Sequence, residues 1–131
     1  MTTTGKRFEY TASLDRAGRA SAEGGATLEP DEAWTPEHLV LAGLLKCSLT
    51  SLTYHARRAG LDIVGAGTAE GVVERREEDG RFAFTEIDVR FEIELDPVPD
   101  DLDALIAKAE RDCFVGASLR IKPHYDWSVN P

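Results

Sequence analysis

The stretch 35–60, TPEHLVLAGLLKCSLTSLTYHARRAG, constrains this chain more than any other. It reads as one long helix. Thr35 suits the cap, because its hydroxyl can accept from an orphan N–H of the first turn. Pro36 suits the first helical position, where a missing N–H costs nothing. Glu37 brings negative charge to the first turn, and Arg57 and Arg58 bring positive charge to the last, both favoured by the helix dipole. Gly60 supplies a left-handed stop. At about 1.5 Å per residue the helix is roughly 36 Å long. From Leu39 to Leu45 it is apolar on every side, so this half is expected to be enclosed all round. Cys47 lies at the end of that block, where core packing needs no thiol.

The 131 residues predict one domain over 1–131, long enough to bury a core. A composition that is 42% hydrophobic and 30% charged is that of a soluble globular protein. The formal net charge of -9 argues against a non-specific nucleic-acid binder and against anionic membrane surfaces. The longest apolar run, Leu39 to Leu45, is too short to span a bilayer. The opening MTTTGKRFEY has no hydrophobic signal region, so a cytoplasmic location is expected. In that reducing compartment two cysteines are functional or inert rather than a structural staple.

Residues 7–14 alternate with the period of a half-buried strand, and Asp15 to Gly18 reads as a turn. Arg19 to Ala22 and Ala26 to Glu29 form two short strands around Gly24-Gly25, completing a small meander. Pro30 to Ala33 is a polar link. Trp34 is placed to pack back on the first turn of the helix as a staple. After Gly60, residues 62–76 are extended, with Gly65, Gly67, Ala69 and Gly71 on one face. Such a face suggests close approach of another backbone, most simply a helix laid on it. These glycines lack the setting and the following Lys-Ser or Lys-Thr of a phosphate loop. Glu77 to Gly80 is a turn. The next strand changes parity between Phe84 and Ile87, which predicts a bulge near Thr85-Glu86. Asp88, Arg90, Glu92 and Glu94 form its solvated face. Asp100 to Asp112 is a second helix, with Cys113 continuing its apolar stripe. Residues 114–116 break it, and 117–129 alternate to the end. Pro123 inside that run indicates an edge strand or a bulge.

Three histidines (His38, His55, His124) and two cysteines are scattered, with no compact ligand spacing, so no metal or cofactor is expected. His38 and His55 read as polar helix positions and His124 as an ordinary strand residue. No GxSxG elbow is present to support a serine triad. The thiols remain, with two readings. Cys47 and Cys113 are small core hydrophobes, or they do redox chemistry. The second needs a lowered thiol, and therefore a nearby cation or a helix N-terminus. Cys47 is mid-helix, and Lys46 points about 100° away around the helix. A cation from elsewhere is required, and composition does not choose among eleven arginines.

The helix 35–61 resembles the core helix of the OsmC/Ohr family: a Pro-Glu opening, an apolar run with Ala or Gly, and a cysteine ten residues after the glutamate. AKAERDC, ending at Cys113, resembles the family's second cysteine landmark, and the 66-residue spacing of the cysteines is also similar. YTASLDRAGRA resembles the family's first hairpin, whose turn carries a functional arginine. Arg16 matches that position best, with Arg19 as the fallback. The short stretch between Arg16 and Glu37, and Phe-Val-Gly after Cys113, favour the general OsmC-like branch over Ohr proper.

The resemblance implies an α+β fold: a strongly curved antiparallel sheet wrapping a long central helix, in an intertwined homodimer. It implies thiol peroxidase chemistry. Cys47 attacks the peroxide and becomes a sulfenic acid. Arg16 stabilises the thiolate and the charge developing on the oxygens. Glu37 holds Arg16 and accepts a hydrogen bond from the peroxide. Cys113 resolves the sulfenic acid to a disulfide, and an external dithiol reduces it. Organic hydroperoxides come ahead of hydrogen peroxide as substrates. Two other readings stay open: a non-catalytic dimeric module binding a small apolar molecule, and hydrolysis or thiol transfer at Cys47. Geometry adds that Glu37 and Cys47 are about 15 Å apart along one helix. They can cooperate only between two antiparallel copies of it, which again predicts a homodimer with sites at its interface.

Overall fold

A computed structural model of the protein describes residues 5–29 and 31–131. Pro30, which opens the expected polar link, and the first four residues of the MTTTGKRFEY opening lie outside them. The chain divides into two compact units, Met1–Thr35 and Pro36–Pro131.

The first unit is the expected meander. Strands β1 (Ala12–Leu14), β2 (Ala20–Ala22) and β3 (Thr27–Leu28) pair antiparallel in that order. β1 is shorter than the alternation from Arg7 predicts. Phe8, Tyr10 and Leu14 are all exposed, so the described residues of this unit give the alternation no core to follow. The β1–β2 turn forms at Asp15 as expected: its Oδ1 accepts from the N–H groups of Ala17 and Arg19, each at 2.9 Å.

The second unit is built around α1 (Pro36–Arg58), which starts at the predicted proline. Its end is a Schellman motif. Gly60, at φ 79°, lets the Leu61 N–H reach the Ala56 carbonyl at 2.9 Å while its own N–H reaches Arg57 at 3.0 Å. Leu44, Ser48, Leu52 and Ala56 form one fully buried stripe four residues apart. The expectation that Leu39 to Leu45 is enclosed all round is not met in the single chain. Leu39 is 47% and Val40 37% exposed, because one sheet and one helix pair cover only part of a helix's circumference.

β4 (Asp62–Arg75) and β5 (Phe82–Asp96) form a long antiparallel hairpin. The predicted bulge is present: Val72 faces Glu86 and Val73 faces Phe84, which leaves Thr85 as the extra residue. Its hydroxyl turns to the Glu74 carboxylate at 2.5 Å. Across the bulge the inward set changes from Phe84 to Ile87, Val89, Phe91, Ile93 and Leu95, all but Phe84 fully buried. The glycine face of β4 meets side chains of β5 and α1 and, at Gly67, the β5 backbone as well, the Arg90 carbonyl lying 2.8 Å from where a Cβ would be. A Cβ on Gly67 would lie 2.6 Å from the Phe91 ring, and one on Gly65 would lie 2.5 Å from Ile93 and 2.9 Å from Leu49 of α1.

α2 (Leu102–Arg111) is capped by Asp101, whose carboxylate accepts from the Ala104 N–H at 3.1 Å. Residues 114–116, read as a break, instead open a second short helix, α3 (Phe114–Ser118). β6 (His124–Asn130) starts directly after Pro123 and is an edge strand, as that proline indicated. It pairs with β5 in parallel, so the sheet β4-β5-β6 is mixed where a purely antiparallel one was expected. The cause is the connection. A crossover through two helices returns the chain to the end of the sheet from which β5 began. The core lies between this sheet's apolar face and the helices α1 and α2. No described helix is long and apolar enough to cross a membrane.

Candidate thiol site

Cys47 and Cys113, 66 residues apart, come together in the second unit. α1 carries Cys47 beside its buried stripe, half-buried. Cys113 sits between α2 and α3 at the α3 N-cap position, fully buried, its carbonyl accepting from the Ala117 N–H at 3.0 Å. Both thiols are free, and they interact directly.

Two groups that the sequence analysis did not single out complete the site. Ser48 Oγ lies 3.3 Å from Cys113 Sγ and 2.9 Å from the Tyr125 hydroxyl. Ser48 is on the stripe with Leu44 and Leu52; Tyr125 is on the inward face of β6, stacked on Trp127 with ring centroids 5.6 Å apart. A serine on a wholly apolar helical stripe was the one available signal. Tyr125 gave none beyond strand alternation.

The two thiols are shifted in opposite directions. Burial pushes the Cys47 thiol up, the Val115 and Phe114 N–H groups work against it, and the neighbouring Cys113 pushes it further up; the net is raised. Burial also pushes Cys113 up, but hydrogen bonds from Ser48, the Gly116 N–H, Cys47 and Tyr125 outweigh it, and the net is lowered. Redox chemistry at Cys47 requires the lowering there; in these surroundings it falls at Cys113. Burial raises the Tyr125 phenol to about 12, so it remains a protonated donor at neutral pH. The arrangement is a dithiol in which Cys113 is the more readily ionised sulfur, ringed by donors, and Cys47 the more accessible one.

Glu37 lies apart from this pair, in the first turn of α1, on the same helix as Cys47 but about 15 Å along the axis. Arg16 and Arg19 belong to the first unit. Arg19 is engaged, its guanidinium 3.3 Å from Glu29 and 3.9 Å from Asp15. Arg16, in the β1–β2 turn, has no hydrogen bond or ion pair among the described residues. Among the described residues no cluster of His, Cys, Asp or Glu is suited to a metal.

Cys113 is fixed from its N-terminal side. Ser51 of α1 donates to the Ala109 carbonyl at 2.8 Å, and His55 Nε2 bonds Asp112 at 2.7 Å. Arg111 also donates to Asp112, and Arg111 first, then His55, hold its carboxyl at about 2 against an ordinary 3.8. A lowered carboxyl contributes stability that is complete above about pH 4 and is lost as pH falls towards 2. Asp112→Asn is therefore expected to be less stable than the parent at pH 6, with the gap closing towards pH 2. Urea midpoints across that range check it.

The sequence profile of the family described as OsmC-like protein matches residues 29–128. No curated protein matches the chain. Among solved structures, an OsmC-like protein of unknown function from Vibrio cholerae superposes with a TM-score of 0.78 at 14% identity, over 92% of this chain and 99% of that one. An OsmC-like protein from Mycoplasma pneumoniae gives 0.72 at 19% identity, over 98% and 100%. An organic hydroperoxide resistance protein from Elizabethkingia anophelis gives 0.62 at 21% identity, over 98% and 99%. At these identities the likeness establishes the fold.

Proposed function

The chain belongs to the OsmC-like protein family, and on that premise we propose that it is a cysteine-based thiol peroxidase, reducing organic hydroperoxides ahead of hydrogen peroxide. The observation that carries this reading is the meeting of two free thiols from distant elements, one accessible and one buried. The name of the Elizabethkingia neighbour supports the substrate class.

Cys47 is the attacking sulfur because it is the one a peroxide can reach. Its thiolate takes the terminal oxygen of the hydroperoxide; the O–O bond breaks, and the alkoxide leaves as the alcohol after taking up a proton. Cys47 is then a sulfenic acid. Cys113 attacks that sulfur, forms the disulfide and releases water. An external dithiol reduces the disulfide by exchange and carries away both electrons. Arg16 supplies the positive charge that lowers the Cys47 thiol, and Glu37 orients that arginine. Glu37 serves the Cys47 of a second copy, so the working form is a homodimer of a single-domain chain, in the cytoplasm. The exposed Leu39 and Val40 on α1 support such an interface.

A second reading rests on the raised Cys47 thiol: a non-catalytic dimer of the same fold that binds a small apolar molecule. Consumption of cumene hydroperoxide with a dithiol present separates the two. Saturable turnover rules out the binder. No turnover, with Cys47 slow to alkylate at neutral pH, rules out the peroxidase.

A further inference from the structure

The stripe that α1 buries is apolar at Leu44, Leu52 and Ala56 and carries a hydroxyl at Ser48, which is 0% exposed. Burying a hydroxyl is unfavourable unless it is hydrogen-bonded, and alanine would fill this position without that requirement. A helical serine usually satisfies itself on the carbonyl four residues back, as Ser118 does on Phe114 at 2.8 Å. Ser48 instead reaches across to other elements, with its oxygen between the Cys113 sulfur at 3.3 Å and the Tyr125 hydroxyl at 2.9 Å.

We infer that Ser48 and Tyr125 prepare Cys113 to close the disulfide, Ser48 donating directly to the Cys113 sulfur and Tyr125 acting as the positioning residue that turns Ser48 toward it. The inference rests on the peroxidase reading for its biological step. Each of these two contacts can be donated from either side, and the inferred direction is the one in which Tyr125 donates to Ser48. A serine hydroxyl has one proton, and a phenol that stays protonated donates its own to Ser48 Oγ. The Ser48 proton is then directed at the sulfur. A sulfur receiving hydrogen bonds from Ser48 and the Gly116 N–H is favoured as a thiolate. In the resolving step that thiolate attacks the sulfenic sulfur of Cys47. The S–S bond forms, the S–O bond breaks, and hydroxide leaves and takes up the proton Cys113 released, giving water. A lower pKa also makes a thiolate less nucleophilic, but with a Brønsted slope of about 0.4–0.5 the gain in thiolate fraction wins near neutral pH.

The test measures closure of the Cys47–Cys113 disulfide in the full chain, by mass spectrometry of quenched samples across pH 5 to 10. One oxidant is a single equivalent of cumene hydroperoxide. The other is diamide, which accepts both electrons and requires no peroxidase activity. Ser48→Ala is expected to raise the pH midpoint of closure by about one unit and, after the partly compensating gain in nucleophilicity, to slow closure about three- to fourfold at pH 7. Tyr125→Phe is expected to shift the midpoint the same way by less, and Ser48→Thr to restore it. An unshifted midpoint in Ser48→Ala overturns the inference, as does uniform slowing at every pH, which would mark a packing role. If Ser48→Ala does not fold, Tyr125→Phe decides by the same criterion. A wild type inert to peroxide that still closes with diamide would refute the peroxidase reading and leave the Ser48 comparison intact.

Discussion

Cys47→Ser is expected to reduce dithiol-dependent consumption of cumene hydroperoxide to the buffer rate, a loss on the order of a thousandfold or more. Cys113→Ser is expected to consume one equivalent per chain and stop. The two outcomes differ because the sulfurs have different surroundings. Cys47 is half-buried and can meet a substrate, whereas Cys113 is closed off behind Ser48, Tyr125 and α3. A serine oxygen at position 47 cannot accept a peroxide oxygen, so the first bond never breaks. Serine at position 113 leaves that bond-breaking intact but removes the sulfur that expels water, and the sulfenic acid accumulates or over-oxidises. A stopped assay for peroxide, paired with trapping of the sulfenic acid by dimedone, reads both. Multiple turnovers by Cys113→Ser at the parental rate would remove Cys113 from the cycle.

Phe91→Ala is expected to destabilise the chain by about 3–5 kcal/mol, a large part of the roughly 5–15 kcal/mol that holds a typical domain folded. Phe91 is buried in the middle of β5 and stacks on Trp127, with ring centroids 4.5 Å apart. Its ring also occupies the space opened by Gly67, where a Cβ would approach it to 2.6 Å and the Arg90 carbonyl to 2.8 Å. Removing the ring empties both sides at once. Gly67→Ala alone is expected to cost about 1–3 kcal/mol by overpacking. The double variant should be less damaged than the sum, because the added methyl fills part of the space the ring leaves. Guanidinium unfolding of the four proteins measures the coupling, and strict additivity would mean the ring and the glycine are independent.

Those two predictions draw on features of unequal visibility in the sequence. The limits of α1 were legible because Pro36, Glu37 and Gly60 act locally on backbone and dipole. The bulge at Thr85 was legible because a change of parity has to be absorbed within one strand. The parallel pairing of β6 was not, since strand direction depends on where α2 and α3 return the chain, a non-local matter. The hydrogen-bonded site was half legible. Cys47 and Cys113 stood out by chemistry and by family resemblance. Ser48 looked like one polar residue among several in SLTSLT, and its meaning depends on which of them faces inward. Tyr125 looked like ordinary strand alternation. Proximity across 77 residues cannot be read from local pattern.

The contact between thiols 66 residues apart also has a thermodynamic side. The segment between them contains the whole of both long strands, β4 and β5, and of α2. A covalent link there would tie the two ends of most of the second unit, leaving the unfolded chain a closed loop. Chain-entropy arguments put the resulting gain at roughly 4 kcal/mol for a loop of this length. By linkage, the same quantity measures how much more readily the folded chain holds its disulfide than the unfolded chain does. Oxidation would therefore leave its record in heat resistance and protease resistance, and the dithiol that restores the thiols would have to work against the fold itself.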